Sequence, residues 1–390
     1  MRKVPKLRFK EFSDEWEEKK LGEISEIIMG QSPDSKNYNE KNIGLPLIQG
    51  NADCKNRKVY PRLYTSEITK ESIPNDIIMT VRAPVGAIAF SNIHSCIGRG
   101  VCAIRNTNNF IYHYLIKLEN SWEKISQGST FTAVNSNDIK KLQLILPNIQ
   151  EQEKIANFLS SIDKKISLTE EKLELFREYK KGVMQKIFSQ ELRFKDSNGN
   201  DYPEWEEKKL GEIAFFSKGK LISKEDITEE GVECIRYGEL YTIYKEKIEK
   251  VVSKTKLEKN KLILSEKNDV IIPSSGETAI DIAVASCVMK DGVALGADLN
   301  IIKTKENGLY LAYFINNPAK LELASLAQGA SVIHLYEKHL KLLNIKIPTL
   351  EEQEKIADFL SSIDSKIESI EKELEGLKEF KKGLLQQMFI

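Results

Sequence analysis

With 390 residues, the chain is too long for one ordinary hydrophobic core and suits two domains of similar size. Hydrophobic residues are 41% and charged residues 30%, the balance of a soluble globular protein, and no stretch approaches the roughly 18 apolar residues of a membrane helix. The 58 basic and 58 acidic residues cancel, which argues against nucleic-acid binding by bulk charge alone.

Residues 1–10 carry Arg2, Lys3, Lys6, Arg8 and Lys10 with no apolar run behind them, so they do not read as a signal peptide. Leu7-Arg8-Phe9-Lys10 and then Trp16-Glu17-Glu18-Lys19-Lys20-Leu21-Gly22-Glu23-Ile24 open the first half. Beyond them, short β-branched runs at 45–48, 77–81, 87–90 and 100–104 alternate with Asn, Gly, Pro and Ser, the pattern of a β-rich domain. A helical stretch is expected over 110–124. Charge is uneven here: residues 77–118 hold no acid but include Arg82, Arg99, Arg105 and Lys117, and Lys55, Arg57, Lys58 and Arg62 cluster just upstream. Glycine-bearing loops let backbone approach a ligand closely. Those that stand out are Met29-Gly30-Gln31-Ser32-Pro33, Val81-Arg82-Ala83-Pro84-Val85-Gly86 and Gly98-Arg99-Gly100.

After Pro147 the period changes. Ile155, Ile162, Thr169, Phe176 and Val183 form one row, and Leu159, Ile166, Leu173, Lys180 and Ile187 another; eight of these ten are apolar. Alternating spacings of 3 and 4 held this long specify a coiled-coil seam that needs a second helix.

That helix is supplied by a second copy of the whole plan. Trp205–Ile213 repeats the nine residues at 16–24 with an offset of 189, and Leu192-Arg193-Phe194-Lys195 repeats Leu7 to Lys10. Residues 352–367 nearly repeat 151–166 with an offset of 201. Between these frames the copies diverge, sharing only a skeleton such as Asn75-Asp76-Ile77-Ile78 against Asn268-Asp269-Val270-Ile271. Gln127-Gly128-Ser129 likewise parallels Gln328-Gly329-Ala330. The second variable region has strand-like runs at 233–236, 270–273, 282–288 and 299–302, then a helical stretch over 309–327. Its conspicuous loops are Ser217-Lys218-Gly219-Lys220, Ile235-Arg236-Tyr237-Gly238 and Pro273-Ser274-Ser275-Gly276-Glu277. After Pro348 the seam recurs as Ile356, Ile363, Ile370, Leu377 and Leu384 with Leu360, Ile367, Leu374, Lys381 and Met388. Lys180 and Lys381 interrupt it at the same place in both copies, either snorkelling out or marking where another protein docks.

The expected fold is α+β: two β-rich domains in tandem, at 1–145 and 191–346, joined by helices at 146–190 and 347–390. The helices pair as an antiparallel coiled coil, and the duplication gives pseudo-twofold symmetry. A protein that keeps its frame and varies two equivalent inserts is read as recognising two different things.

Catalytic motifs do not emerge. The sequence lacks Gly-x-x-x-x-Gly-Lys-[Ser/Thr], Gly-x-Gly-x-x-Gly after a strand, Gly-x-Ser-x-Gly and any Pro-Pro pair. His94, His113, His334 and His339 have no metal-ligand spacing, so no metal is expected. Cys54, Cys96, Cys102, Cys234 and Cys287 are scattered and read as reduced, mostly buried thiols of a cytoplasmic protein.

In these features the chain resembles the specificity subunits of Type I restriction–modification systems. The likeness rests on Gly128-Ser129 or Gly329-Ala330, an apolar patch, Leu146-Pro147 or Ile347-Pro348, then Glu151-Gln152 or Glu352-Gln353 with Ile155 or Ile356. Val81 to Gly86 and Cys96-Ile97-Gly98-Arg99-Gly100 add to it. The resemblance covers the whole chain and implies a non-catalytic DNA-reading subunit whose two target recognition domains each read half of a split target. It implies that the helices set the unread spacer and dock two modification subunits. Those would bring S-adenosylmethionine and base-flipping chemistry, and restriction subunits would bring ATP- and Mg-dependent cleavage. Two unlike readers imply an asymmetric site, with half-sites about 10–10.5 base pairs apart if both lie in major grooves on one face. Candidate contacts to double-stranded DNA are Gln49, Asn51, Lys55, Arg57, Arg82 and Arg99 in the first domain. In the second they are Lys218, Lys220, Arg236, Tyr237, Ser274, Ser275 and Glu277. Arginine suits guanine, Gln and Asn suit adenine, and Lys and Ser suit phosphates. A stand-alone DNA-binding regulator, a coiled-coil adaptor displaying two protein-binding domains and an enzyme with an unfamiliar site remain as alternatives.

Overall fold

The computed structural model describes residues 4–105, 108–122, 133–329 and 332–390. Gln127, Gly128, Ser129 and Ala330 of the sequence signature lie outside them. The chain forms two compact units: residues 1–171 with 371–390, and residues 172–370. The long helices Ile149–Phe188 and Leu350–Met388 each contribute to both.

Unit 1 has a six-stranded mixed sheet in the order Glu26–Met29, Val101–Arg105, Ile77–Thr80, Ile88–Phe90, Lys58–Val59, Cys54–Lys55. A five-stranded sheet accompanies it, ordered Tyr38–Asn39, Leu63–Thr65, Leu45–Ile48, Ser95–Ile97, Glu71–Ser72. Unit 2 repeats the arrangement with five strands around Leu299–Thr304 and four around Val232–Ile235. In both, the smaller sheet contains one parallel pair, Ile97 beside Ile48 and Leu295 beside Ile235, internal in unit 1 and at the end of the strand order in unit 2.

Two sequence expectations are corrected. A strand over 282–288 is replaced by a short helix, Ala279–Ile282, and the strand Ser286–Val288. Thr278 caps the helix, its Oγ1 accepting from Asp281 N (3.1 Å) and donating to Asp281 Oδ2 (2.6 Å), so polar capping overrides the apolar run. The expected helix over 309–327 is two, Gly308–Asn316 and Lys320–Leu326, because Pro318 cannot donate an amide and disfavours helix before it. The first domain's counterpart is the helix Phe110–Leu118 and one tighter turn, Glu119–Ser121; residues 123–124 lie outside the described residues.

The repeated segments are the foundations of the domains. Glu17–Lys20 pairs antiparallel with Gln143–Leu146, and Glu206–Lys209 with Asn344–Ile347. Leu21 and Leu210 are fully buried beside them, each worth about 2 kcal/mol of apolar burial. A Cβ on Gly22 would stand 2.8 Å from Lys140 Cβ, and one on Gly211 2.9 Å from Lys341 Cβ, which leaves room for glycine alone. Arg8 grips the buried Glu151 with two bonds of 2.7 Å; Arg193 grips the buried Glu352 at 3.2 and 2.8 Å. Phe9 meets Phe158 edge-on, as Phe194 meets Phe359. Gln152 and Gln353 turn back to Pro147 O and Pro348 O, both at 2.9 Å, and tie off the starts of the long helices. Thus each copy of Leu-Arg-Phe-Lys fastens one copy of Glu-Gln-Glu-Lys-Ile.

The helices pair antiparallel within each unit. In unit 1 Asp163 faces Lys381 and Glu170 faces Lys378. In unit 2 Lys180 meets Asp364 at 2.6 Å. Seam residues Ile155, Leu159, Ile162, Leu173, Ile356, Leu360, Ile363 and Ile367 are buried, whereas Ile166, Phe176, Leu374 and Leu377 are half-buried. The two interrupting lysines do not snorkel into solvent. Lys381 is buried against Asp163, and Lys180 lies between Asp364, Glu246 and the face of Tyr313. Opposite charges at matched seam positions reward one register and penalise a slipped one.

Candidate nucleic-acid interface

In unit 1 four loops leave the sheets at one edge and are stitched together by backbone bonds. Gly30 N donates to Val101 O (3.0 Å), Gln31 N to Ile97 O (2.9 Å), Gly98 N to Ile48 O (2.8 Å) and Val81 N to Gly100 O (2.9 Å). A Cβ on Gly30 would fall 2.1 Å from Gly98 O, and one on Gly100 1.9 Å from Gln49 O, so this closeness requires glycine at both positions. The loops enclose an open pocket of about 220 Å³ lined by Ser32, Gln49, Asn51, Arg82 and Arg99.

Four of the six candidates in the first domain therefore converge. Arg82 and Arg99 are exposed. Ser32 Oγ accepts from Arg99 N (3.1 Å) and Nε (3.4 Å), a contact that steadies the side chain and uses neither terminal amino group. Gln49 is held through its backbone, whose N donates to Oδ2 of buried Asp53 at 2.8 Å; Arg62 Nε donates to the other oxygen of that carboxylate. Among the described residues the buried Gln49 amide nitrogen has no hydrogen-bond partner. An orphaned donor gains by rotating toward an acceptor supplied from outside.

Lys55 and Arg57 lie away from this pocket. Lys55 is exposed, its ammonium 5.9 Å from the centre of the Tyr60 ring. Arg57 is committed elsewhere: its guanidinium holds Glu119 through two bonds of 2.6 and 2.8 Å and also donates to Ile88 O at 3.0 Å. Both line a larger basic cleft of unit 1, about 960 Å³, with Lys58, Lys117, Lys378 and Lys382. Sequence reasoning missed the last two because they lie more than three hundred residues downstream, on the C-terminal helix that returns to unit 1.

Unit 2 builds the same edge from different side chains. Gly219 N donates to Leu299 O (3.2 Å), Lys220 N to Leu295 O (2.9 Å), Gly296 N to Ile235 O (2.9 Å) and Ser274 N to Asp298 O (2.8 Å). Lys220 and Glu277 are exposed on these loops. Arg236 donates from Nε and Nη2 to Oε1 of buried Glu239, each at 3.3 Å. Exposed Tyr237 meets Tyr241 edge-on, and the Tyr241 hydroxyl donates to Ser275 O at 2.8 Å. Lys218 lies 5.9 Å from the centre of the Tyr336 ring, which stacks on His334. Ser274 is the candidate that the structure removes from the surface: it is buried, its backbone bonded to Asp298 O and Leu335 N. Tyr336, His334 and Tyr241 are the additions; as isolated aromatics they carry no sequence signal, and only the fold gathers them.

No cluster of His, Cys, Asp or Glu able to hold a metal occurs among the described residues. Burial pushes the Cys54 and Cys234 thiols up to about 11 and those of Cys102 and Cys287 up to about 12, so these four are not nucleophiles at neutral pH. No helix among the described residues is long and apolar enough to cross a membrane.

Comparison with known proteins gives the arrangement a context. Residues 13–175 and 202–379 match the family described as the Type I restriction modification DNA specificity domain. The MjaX protein of Methanocaldococcus jannaschii, named a type I restriction enzyme specificity subunit, is 34% identical over 192 residues, 47% of this chain. That match spans only 45% of the relative's own length. The MjaVIII specificity subunit of the same organism is 28% identical over 294 residues, 70% of this chain and 67% of that one. The crystal structure of the S subunit from M. genitalium superposes with a TM-score of 0.66 at 19% identity, covering 99% of each chain, which establishes the shared fold.

Proposed function

The chain belongs to the Type I restriction modification DNA specificity family, and from that membership and the geometry of the two loop edges we propose that it is the non-catalytic, sequence-reading subunit of such a complex. Each domain reads one half of a bipartite double-stranded DNA target. The carrying observation is that both units fix the same four-loop edge with the same backbone bonds and dress it with unlike side chains. Equal frames with unequal chemistry give two unequal half-sites, hence an asymmetric target.

The helix pair sets the unread spacer and docks two modification subunits, to which restriction subunits add. S-adenosylmethionine binds the modification subunits and ATP with Mg the restriction subunits; none binds this chain. The complex works in the cytoplasm, where its DNA lies. A neutral chain has little bulk attraction for a polyanion, so partner subunits contribute phosphate contacts and counterion release. The test is a pull-down from the host combined with methylome sequencing with and without the gene. Recovery of a methyltransferase subunit and loss of one bipartite adenine-methylated motif are expected. An unchanged methylome without such a partner overturns the reading in favour of a regulator or an adaptor.

A further inference from the structure

The backbone bonds that stitch the two loop edges define a residue-by-residue correspondence. Gly98 N bonds Ile48 O as Gly296 N bonds Ile235 O, and Gln31 N bonds Ile97 O as Lys220 N bonds Leu295 O. Val81 N bonds Gly100 O as Ser274 N bonds Asp298 O, and Val81 O accepts from Val134 N as Ser274 O accepts from Leu335 N. Arg82 bridges Ala133 where Ser275 pairs with His334. Position 31 therefore matches 220, 49 matches 236, 82 matches 275 and 99 matches 297. Arg99 and Arg236, alike in sequence because each lies close to glycine, occupy different positions of the frame.

At all four positions the side chain differs: Gln31 against Lys220, Gln49 against Arg236, Arg82 against Ser275, Arg99 against Ala297. All eight residues are at least partly exposed, although the neighbouring strands are buried. The frame is invariant between units, so its bonds carry no information that could distinguish two half-sites; these side chains do.

We propose that 31/220, 49/236, 82/275 and 99/297 are the base-discriminating positions of the two domains, an inference that rests on the DNA-reading function above. Arg99, steadied at Nε by Ser32, offers its terminal amino groups as a fork to the O6 and N7 of guanine. Gln49, whose amide nitrogen has no partner among the described residues, turns out to adenine N7 and N6. In unit 2 the guanine reader moves to position 236, where Glu239 holds Arg236, and Ala297 offers only a methyl contact suited to thymine.

The experiment uses the full chain assembled with its modification subunits, scoring methylation and binding on the target and on every single-base change within it. Arg99→Ala is expected to lose roughly 5- to 150-fold of discrimination at one base pair of one half-site, leaving the other half and the spacer unchanged. Ala297→Arg, at a partly exposed position that adds no burial, is expected to create a guanine preference in the opposite half only. Variants that keep the wild-type motif in both halves, or that weaken all sequences equally as a phosphate contact does, overturn the assignment. A wild-type complex with no bipartite motif instead overturns the DNA-reading function itself.

Discussion

The two units part company in how they treat the same buried carboxylate. In unit 2 Glu352 accepts two bonds from Arg193 and a third from Trp205 Nε1 at 3.1 Å. In unit 1 Glu151 has the two bonds from Arg8, while the buried Trp16 indole nitrogen has no partner among the described residues. The residues are the same in both copies, so the difference comes from packing. Trp16 lies edge-on to Phe110, whereas Trp205 meets Tyr310, whose hydroxyl is drawn away to Lys346 O. A repeated sequence thus fixes which groups meet, and the variable helix beside it fixes how completely they are satisfied.

That comparison can be broken most forcefully at the arginines. Arg8→Ala strands Glu151, fully buried, without its guanidinium; the expected loss of unit 1 stability is about 3–5 kcal/mol. Arg193→Ala leaves Glu352 with the Trp205 bond and is expected to cost less. Urea unfolding of both variants, followed by hydrogen exchange to assign each loss to its unit, measures the difference. Equal losses would remove Trp205 as the reason the units differ.

A second difference lies where the domains touch the helix pair. His113 in unit 1 approaches Asp163 at 3.8 Å and Ser160 at 3.2 Å, near Lys381 and the Ala156 backbone; in unit 2 Tyr313 donates to Asp364 at 2.5 Å. Burial, and then the Lys381 charge, hold His113 down at about 3 instead of 6.5. As pH falls below 6.5 the unfolded chain takes the proton first, so unit 1 loses stability down to about pH 3. At about 1.4 kcal/mol per pH unit, the loss between pH 7 and pH 5 is about 2 kcal/mol. Burial and Asp364 push Tyr313 up, and it stays neutral throughout this range. His113→Asn is expected to flatten the fall in urea midpoint between those pH values; an unchanged slope would place the acid sensitivity elsewhere.

The legibility of the fold followed the repeats. Residues that occur twice, such as Arg8 and Arg193 or Lys180 and Lys381, stood out as matched positions before any contact was known, although snorkelling or docking was expected of the lysines, and each proved to meet an acid that is also repeated. The strands before the loops were legible from their β-branched runs. The loop edge itself was legible only as a set of unconnected glycine-bearing segments, because the bonds joining Gly30 to Val101 or Ser274 to Asp298 span distances no local pattern encodes. For the same reason sequence could not separate Arg82 and Arg99, which line the pocket and pair with no acid among the described residues, from Arg57, which is clamped by Glu119 sixty-two residues away.

Arg57 offers the smallest effect and the finest distinction. Its backbone is left-handed (φ +57°) and its side chain is 42% exposed, so the Glu119 pair is partly screened. Arg57→Lys keeps the charge and the backbone while losing the paired bonds to Glu119 and the bond to Ile88 O. The expected cost is below about 1 kcal/mol in urea unfolding. The bases recognised by the first domain are expected to stay the same, because the guanidinium that is lost faces Glu119 and not the pocket of Arg82 and Arg99. A half-site that shifts with this substitution would return Arg57 to the readers and make the Glu119 pair a resting contact that DNA displaces.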